Sequence, residues 1–243
     1  MRELLLELSV LVRIRHPNVV TFWGTAADFP THPTAKPYIG MVFELCSRGS
    51  LYKLLHQNGG QRFPFKEKMR IALEVARGMS YIHAKCIIHR DLNSRNILLN
   101  DQTQVKVADF GCARKVKGSA LVTTTISGSP AYMAPEQLEG KDLTDKIDVW
   151  AFGVLLWEIV TEQVPWASKG NSLDGLKRAV CTNKERLPLP SADKFPNGWR
   201  AQYVKLMEMT WNSNPTARPS MAEMVKGLEA LNNQEAVSVG EFM

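Results

Sequence analysis

One stretch constrains this 243-residue chain more than any other: His89-Arg90-Asp91-Leu92-Asn93-Ser94-Arg95-Asn96, followed by Asp109-Phe110-Gly111. A hairpin-like run from Ile97 to Val107 joins the two, and Asp109 sits at the end of a short apolar strand. Phosphoryl transfer needs a carboxylate to orient an attacking hydroxyl and an oxygen ligand for magnesium on one rigid loop. Asp91 is placed to supply the first and Asn96 the second. Asp109 is placed to hold a magnesium that bridges phosphates. Asp-Phe-Gly alone is usually just a turn; the two motifs in this order are a far stronger signal.

The rest of the chain supplies a frame for that loop. Leu4, Leu5, Leu8, Leu11 and Val12 recur at helical spacing, which predicts a helix ended by Pro17. Val19 to Trp23 and Tyr38 to Leu45 read as strands, and the Pro-containing stretch between them as a loop. Past Arg48-Gly49-Ser50, a hinge-like turn, the character becomes helical: Leu51 to His56, Lys66 to His83, Tyr203 to Trp211 and Met221 to Leu231. Residues 149 to 160 are apolar nearly all round, which predicts a helix buried in the middle of a large unit. Asn232 to Met243 shows no periodicity and is expected to fray.

Composition excludes more than it assigns. With 44% hydrophobic and 22% charged residues the chain is of ordinary globular type. The net charge of +6 comes without a dense Lys/Arg tract, so nucleic-acid binding is not expected. Cys46, Cys86, Cys112 and Cys181 have neither metal-ligand spacing nor the density of a disulfide scaffold, so reduced thiols in the cytoplasm, or secondarily the nucleus, are expected. Leu4–Val12 lacks a signal-peptide cleavage site, and Val149–Val160 is too short to span a bilayer.

Ala134-Pro135-Glu136 closes the segment that opens at Asp109, Asp148-Val149-Trp150 opens the apolar helix, and Arg218-Pro219 lies far downstream. In these motifs the chain resembles the eukaryotic protein kinase family, over roughly residues 3 to 231. The resemblance implies an α+β, bilobal fold. A truncated small lobe (regulatory helix and two strands) would occupy 1–45, the hinge and a complete, mainly helical large lobe 46–231, and a C-terminal tail 232–243. It implies ATP and Mg2+ as cofactors, with Asp91, Arg95 and Asn96 catalytic and Asn96 and Asp109 holding metal. Phe43, as a bulky gatekeeper, Glu44, Cys46 and Leu98 would line the nucleotide site, and Glu7 would be the helix glutamate that pairs with a strand lysine. Leu11, Phe22, His89 and Phe110 would stack as a hydrophobic spine. Asp148 would anchor the catalytic loop, and Glu136 with Arg218 would form a buried ion pair. Blander readings stand beside these: Glu7 as a solvated charge, Leu11 and Phe22 as core in any fold, Phe43 and Cys46 as strand packing.

The polar segment from Arg114 to Ser129 carries Thr123, Thr124, Thr125, Ser127 and Ser129. A phosphate there would pair with Arg90 and order the segment. Gly128 to Glu136 is similar to the serine/threonine kinase pattern, whereas Asn93 and Arg95 follow the tyrosine-kinase arrangement. The mixture is similar to the tyrosine-kinase-like group, and the expected acceptors are Ser and Thr hydroxyls, with dual specificity as the alternative. A kinase should also carry a Gly-rich loop and a strand lysine, and neither precedes Glu7 in this sequence. The expectations are therefore three: an active kinase, a catalytically dead scaffold, or a nucleotide-responsive switch. The implied partners are a protein substrate and ATP, together with an activating kinase or a partner that restores the small lobe.

Overall fold

The computed structural model describes residues 2–28, 38–57, 63–116, 120–121, 127–170, 172–196 and 198–240. The first helix, α1 (Arg2–Leu11), is followed by an antiparallel ribbon of β1 (Phe22–Asp28) and β2 (Tyr38–Phe43), in which Phe22 faces Phe43 and a bulge falls at Trp23. Pro17 does not end α1. The helix stops at Leu11, and tightened turns from Val10 to Arg13 and Leu11 to Ile14 swing the chain inward, where Ile14 is 2% exposed. Burying Ile14 against the core decides the end point, six residues before the proline.

The strand expected from Val19 also divides. Val19 bridges to Val107, and the Val20 N–H donates to the Val107 carbonyl at 2.9 Å, so these residues dock on the central hairpin while β1 begins at Phe22. Asn18, 5% exposed, fixes the junction by donating to the Val105 carbonyl and to Glu74. The Asn18 carbonyl presses on Gly78, where a Cβ would come within 2.6 Å of it.

Gly49-Ser50 is not merely a hinge. It forms β3 (Gly49–Ser50), paired with β5 (Ile97–Leu99), which pairs in turn with β6 (Val105–Val107). Gly49 has φ +74°, a left-handed turn that a glycine enters without strain. The Ser50 side chain caps α2 (Leu51–His56) by accepting from the Lys53 N–H.

Beyond this, helices dominate. In α3 (Phe65–Ala84) the predicted face of Ile71, Val75, Met79 and Ile82 is fully buried, and Pro64 precedes the helix, where its missing N–H costs nothing. β4 (Ile87–Ile88) pairs with β7 (Arg114–Lys115), bringing the two sides of the catalytic stretch together. The short α4 (Pro135–Leu138) leads to α5 (Lys146–Thr161), buried from Ile147 to Thr161. Then come α6 (Leu173–Lys177), a π turn at Arg178–Thr182, and α7 (Arg200–Thr210). The last helix, α8 (Met221–Gly240), opens on a capping box in which Ser220 and Glu223 exchange side-chain and backbone hydrogen bonds. It continues to Gly240, so the frayed tail expected from Asn232 is helical over most of its length. Residues 232–239 hold neither proline nor glycine, and an established helix propagates more cheaply than it nucleates.

Candidate active site

Asp91 lies in the loop between β4 and β5, and its carboxylate is held from three directions. Oδ1 accepts from Asn93 Nδ2 and from the Ser129 N–H, both at 2.8 Å, and Oδ2 accepts from Asn96 Nδ2 at 3.1 Å. Asn93 is 2% exposed and turns inward: its amide also meets the Asp91 carbonyl and Ser129 Oγ, while its Oδ1 accepts the backbone N–H groups of Arg95 and Asn96. Asn93 thus braces the loop. Arg95, grouped with the catalytic residues in the sequence, is exposed and lays its guanidinium over the Tyr52 ring, 3.6 Å from the centroid.

Behind the loop stands Asp148, in the first turn of α5 and 1% exposed. Its oxygens accept from the His89 and Arg90 N–H groups at 2.8 and 2.9 Å and from His83 Nε2 at 2.9 Å. These bonds hold Arg90 in a left-handed backbone, φ +71°, which a non-glycine residue adopts at a cost. The His89 ring bonds the Ala108 carbonyl at 3.0 Å and meets Phe110 edge to face, centroids 5.1 Å apart. Leu11 and Phe22 belong to the same buried core. Of the predicted stack, the His89–Phe110 contact is present, and all four side chains are buried.

The hairpin delivers the metal candidates to one end, since the Ala108 N–H donates to the Asn96 carbonyl at 2.8 Å. Asn96 Nδ2 is committed to the carbonyl and the carboxylate of Asp91, which turns its Oδ1 away from that contact. Asp109 is exposed, has φ +61°, and accepts the Gly111 N–H. An amide oxygen and a carboxylate are hard oxygen donors of the kind that would suit Mg2+. Among the described residues no group of three His, Cys, Asp or Glu side chains is arranged for a metal. Glu7 faces the same corner, and burial and then the charge of Asp109 push its carboxyl above the usual range. Among the described residues no cation pairs with Glu7.

At the hinge, Phe43 packs edge to face on Phe22 at 5.6 Å. The Glu44 side chain pairs with Lys106 at 3.0 Å and its N–H is bonded to Thr21. The Cys46 carbonyl accepts from Gly49. Leu98 sits half-buried on β5, opposite Lys106 and Ser50.

Of the regulatory candidates, Thr123, Thr124 and Thr125 lie outside the described residues. The Ser127 hydroxyl is enclosed, so a phosphate there would require the segment to open. Ser129 holds Asp91 and Asn93. Arg90 is buried, and burial and then nearby Arg114 lower its pKa from the ordinary arginine value. Glu136 and Arg218 form a bidentate buried pair at 2.6 and 2.8 Å.

One cluster escaped the sequence reading. Glu158, fully buried in α5, accepts from Ser94 Oγ at 2.8 Å and from the Tyr132 hydroxyl, and lies 2.8 Å from His56 Nε2. Burial and then the Glu158 charge push the Tyr132 hydroxyl well above the usual range. A lone carboxylate inside an all-apolar helix was the signal, because a buried charge must find partners.

A family model described as protein tyrosine and serine/threonine kinase matches residues 1–228. The serine/threonine-protein kinase CTR1 of Arabidopsis thaliana is 36% identical over 232 residues, covering 94% of this chain and 26% of the relative. The serine/threonine/tyrosine-protein kinase HT1 of the same plant is 34% identical over 229 residues, covering 92% of this chain and 53% of the relative. A probable serine/threonine-protein kinase of Dictyostelium discoideum is 35% identical over 225 residues, covering 93% and 23%. The chain therefore spans between a quarter and a half, approximately, of the length of these relatives.

Proposed function

This chain belongs to the protein tyrosine and serine/threonine kinase family, as a Ser/Thr type of the tyrosine-kinase-like group, and we propose that it transfers the γ-phosphoryl group of Mg-ATP to Ser/Thr hydroxyls of protein substrates in signalling. The observation that carries this reading is the Asp91 carboxylate, held by Asn93, Asn96 and the Ser129 N–H. Asp91 would accept the proton of the attacking hydroxyl, and its three donors fix the direction of its lone pairs. Asn96 and Asp109 would hold Mg2+, which supplies neutralisation of the phosphate charge. Phe43 and Leu98 would border the adenine, and the hinge groups not already bonded, the Cys46 N–H among them, would meet its edge. The site sits in a reduced intracellular compartment on this reading.

Asp91→Asn should lower phosphate incorporation from radiolabelled ATP by about 10²-fold or more in a variant that still unfolds cooperatively. Undiminished transfer by that variant would reject the assignment. A buried Arg90 beside Arg114 supports regulation by an anion on the neighbouring segment, with Thr123, Thr124 and Thr125 as the acceptors. Mass spectrometry that finds fully active protein without phosphate there would remove this part.

A second reading, a nucleotide-responsive module without turnover, is favoured by Glu7, whose carboxyl faces Asp109 with no cation between them among the described residues. A Mg-ATP thermal shift without phosphate transfer would select it, and the absence of any shift would leave a scaffold.

A further inference from the structure

Beside Asp91 lies an open cleft of about 240 Å3, walled by Tyr52, Asn93, Arg95, Ser129 to Tyr132, Val164 and Pro165. Asn93 and Ser129 both bond Asp91, so the cleft begins where the acceptor hydroxyl must sit. Arg95 is the only charged side chain among its described lining residues, and no carboxylate faces it there. The Asp91 carboxylate at its edge is engaged by Asn93, Asn96 and Ser129, and Glu158, fully buried, by Ser94, Tyr132 and His56.

Arg95 is also held in place. Its guanidinium carbon lies over the Tyr52 ring, 3.6 Å from the centroid, and its backbone N–H is tied to Asn93. Behind Tyr52, the His56 ring packs 4.7 Å away and is itself fixed by Glu158. Stacking uses the face of the guanidinium and leaves its edge, where the N–H donors point, to other partners. Among the described residues no hydrogen bond or ion pair engages that edge. A planar fork in a cleft whose described lining residues carry no carboxylate, beside an Asp91 already bonded by three donors, matches one chemistry, a bidentate oxyanion.

We infer that Arg95, positioned by Tyr52, makes this a cleft for acidic substrates: the protein segment it takes carries a carboxylate or phosphate side chain within a few residues of the acceptor serine or threonine. The inference rests on the kinase reading and sharpens it to a substrate class. Arg95 thereby acts as a specificity residue for the peptide, with its charge directed at the substrate's flank.

The test measures binding apart from turnover. Fluorescence anisotropy would follow labelled serine peptides on the 243-residue chain, identical except for Glu, phosphoserine, Gln or Lys beside the acceptor. The Glu and phosphoserine peptides should bind about tenfold tighter than the Gln peptide at low salt, the gap shrinking as salt is added. A phosphoserine peptide that outbinds Glu identifies phosphate as the preferred anion; parity identifies charge alone. Arg95→Gln should close the gap, Arg95→Glu should reverse it toward the Lys peptide, and Tyr52→Leu should narrow the ratio of Glu- to Gln-peptide affinity. Equal binding of the Glu and Gln peptides, a gap that survives Arg95→Gln, or no binding of any peptide would overturn the inference. Phosphate transfer from labelled ATP to the same peptides separates the two readings. Preference without transfer removes the kinase function and keeps the acidic cleft, whereas transfer without preference does the reverse.

Discussion

Asp148 carries its charge with almost no water around it. Burial by itself would raise its pKa, but the His83 hydrogen bond, the two His rings and the His89 N–H hold it below the usual aspartate range. Unfolded, it titrates near the ordinary value of about 3.9. Its stabilising contribution is therefore complete above that value and is lost as pH falls through the lower folded pKa. Asp148→Asn should cost about 2–3 kcal/mol at neutral pH, because one amide oxygen cannot serve all the donors, and should flatten the acid limb of stability measured by urea unfolding. A limb of unchanged steepness would show that other carboxylates dominate it. Glu7 has the opposite sign. Its folded pKa is raised by burial and Asp109, so its ionised form opposes folding at neutral pH, and with much of the group near solvent the penalty is small. Glu7→Gln should raise the melting temperature by about a degree; a fall would mean that a cation reaches Glu7.

At the scale of elements, the centre is the crossing of α5 and α7. Gly153 lies so close to the end of α7 that a Cβ would come within 1.8 Å of Thr210 Oγ1 and 2.6 Å of Trp211 Nε1. Its conformation is ordinary helix, so the requirement is for space. Gly153→Ala should destabilise by about 3 kcal/mol through overpacking, read by thermal unfolding, and Thr210→Ser should recover little of it, since the hydroxyl remains. Long elements were legible beforehand: the stripe of α3 and the all-round apolarity of α5 are periodic over enough turns to identify themselves. Pro135–Leu138, Leu173–Lys177 and the strands Gly49–Ser50 and Arg114–Lys115 were not, because two to five residues hold no measurable period, whereas the β-branched pair Ile87-Ile88 did read as a strand. Their partners, remote in sequence, decide them. The division of Val19–Trp23 between two sheets is the same effect, since both halves look like strand.

Across the whole molecule, Arg218 ties the end of the large helical unit to the segment after the catalytic stretch. It is 2% exposed, meets Glu136 with both N–H arms, bonds the carbonyls of Asn212 and Lys146, and packs over Trp150. Arg218→Met alone should cost about 3–5 kcal/mol by stranding the Glu136 charge. Glu136→Leu combined with it should recover a good part, a coupling that a double-mutant cycle of urea unfolding would measure. Additive costs would place the importance of Arg218 in its carbonyl bonds and packing. By itself the sequence determined the family and the helical frame and put Asp91, Asn96 and Asp109 forward as site candidates, because chemistry demands particular side chains at short spacings and long periodic faces declare themselves. Only the tertiary structure decided that Asp91 is directed by Asn93 and Ser129, that Glu158 joins His56, Ser94 and Tyr132, and that Arg95 lies over Tyr52 at the wall of the cleft. Those contacts join residues far apart in the chain, and their geometry comes from packing, burial and charge pairing that no local pattern records.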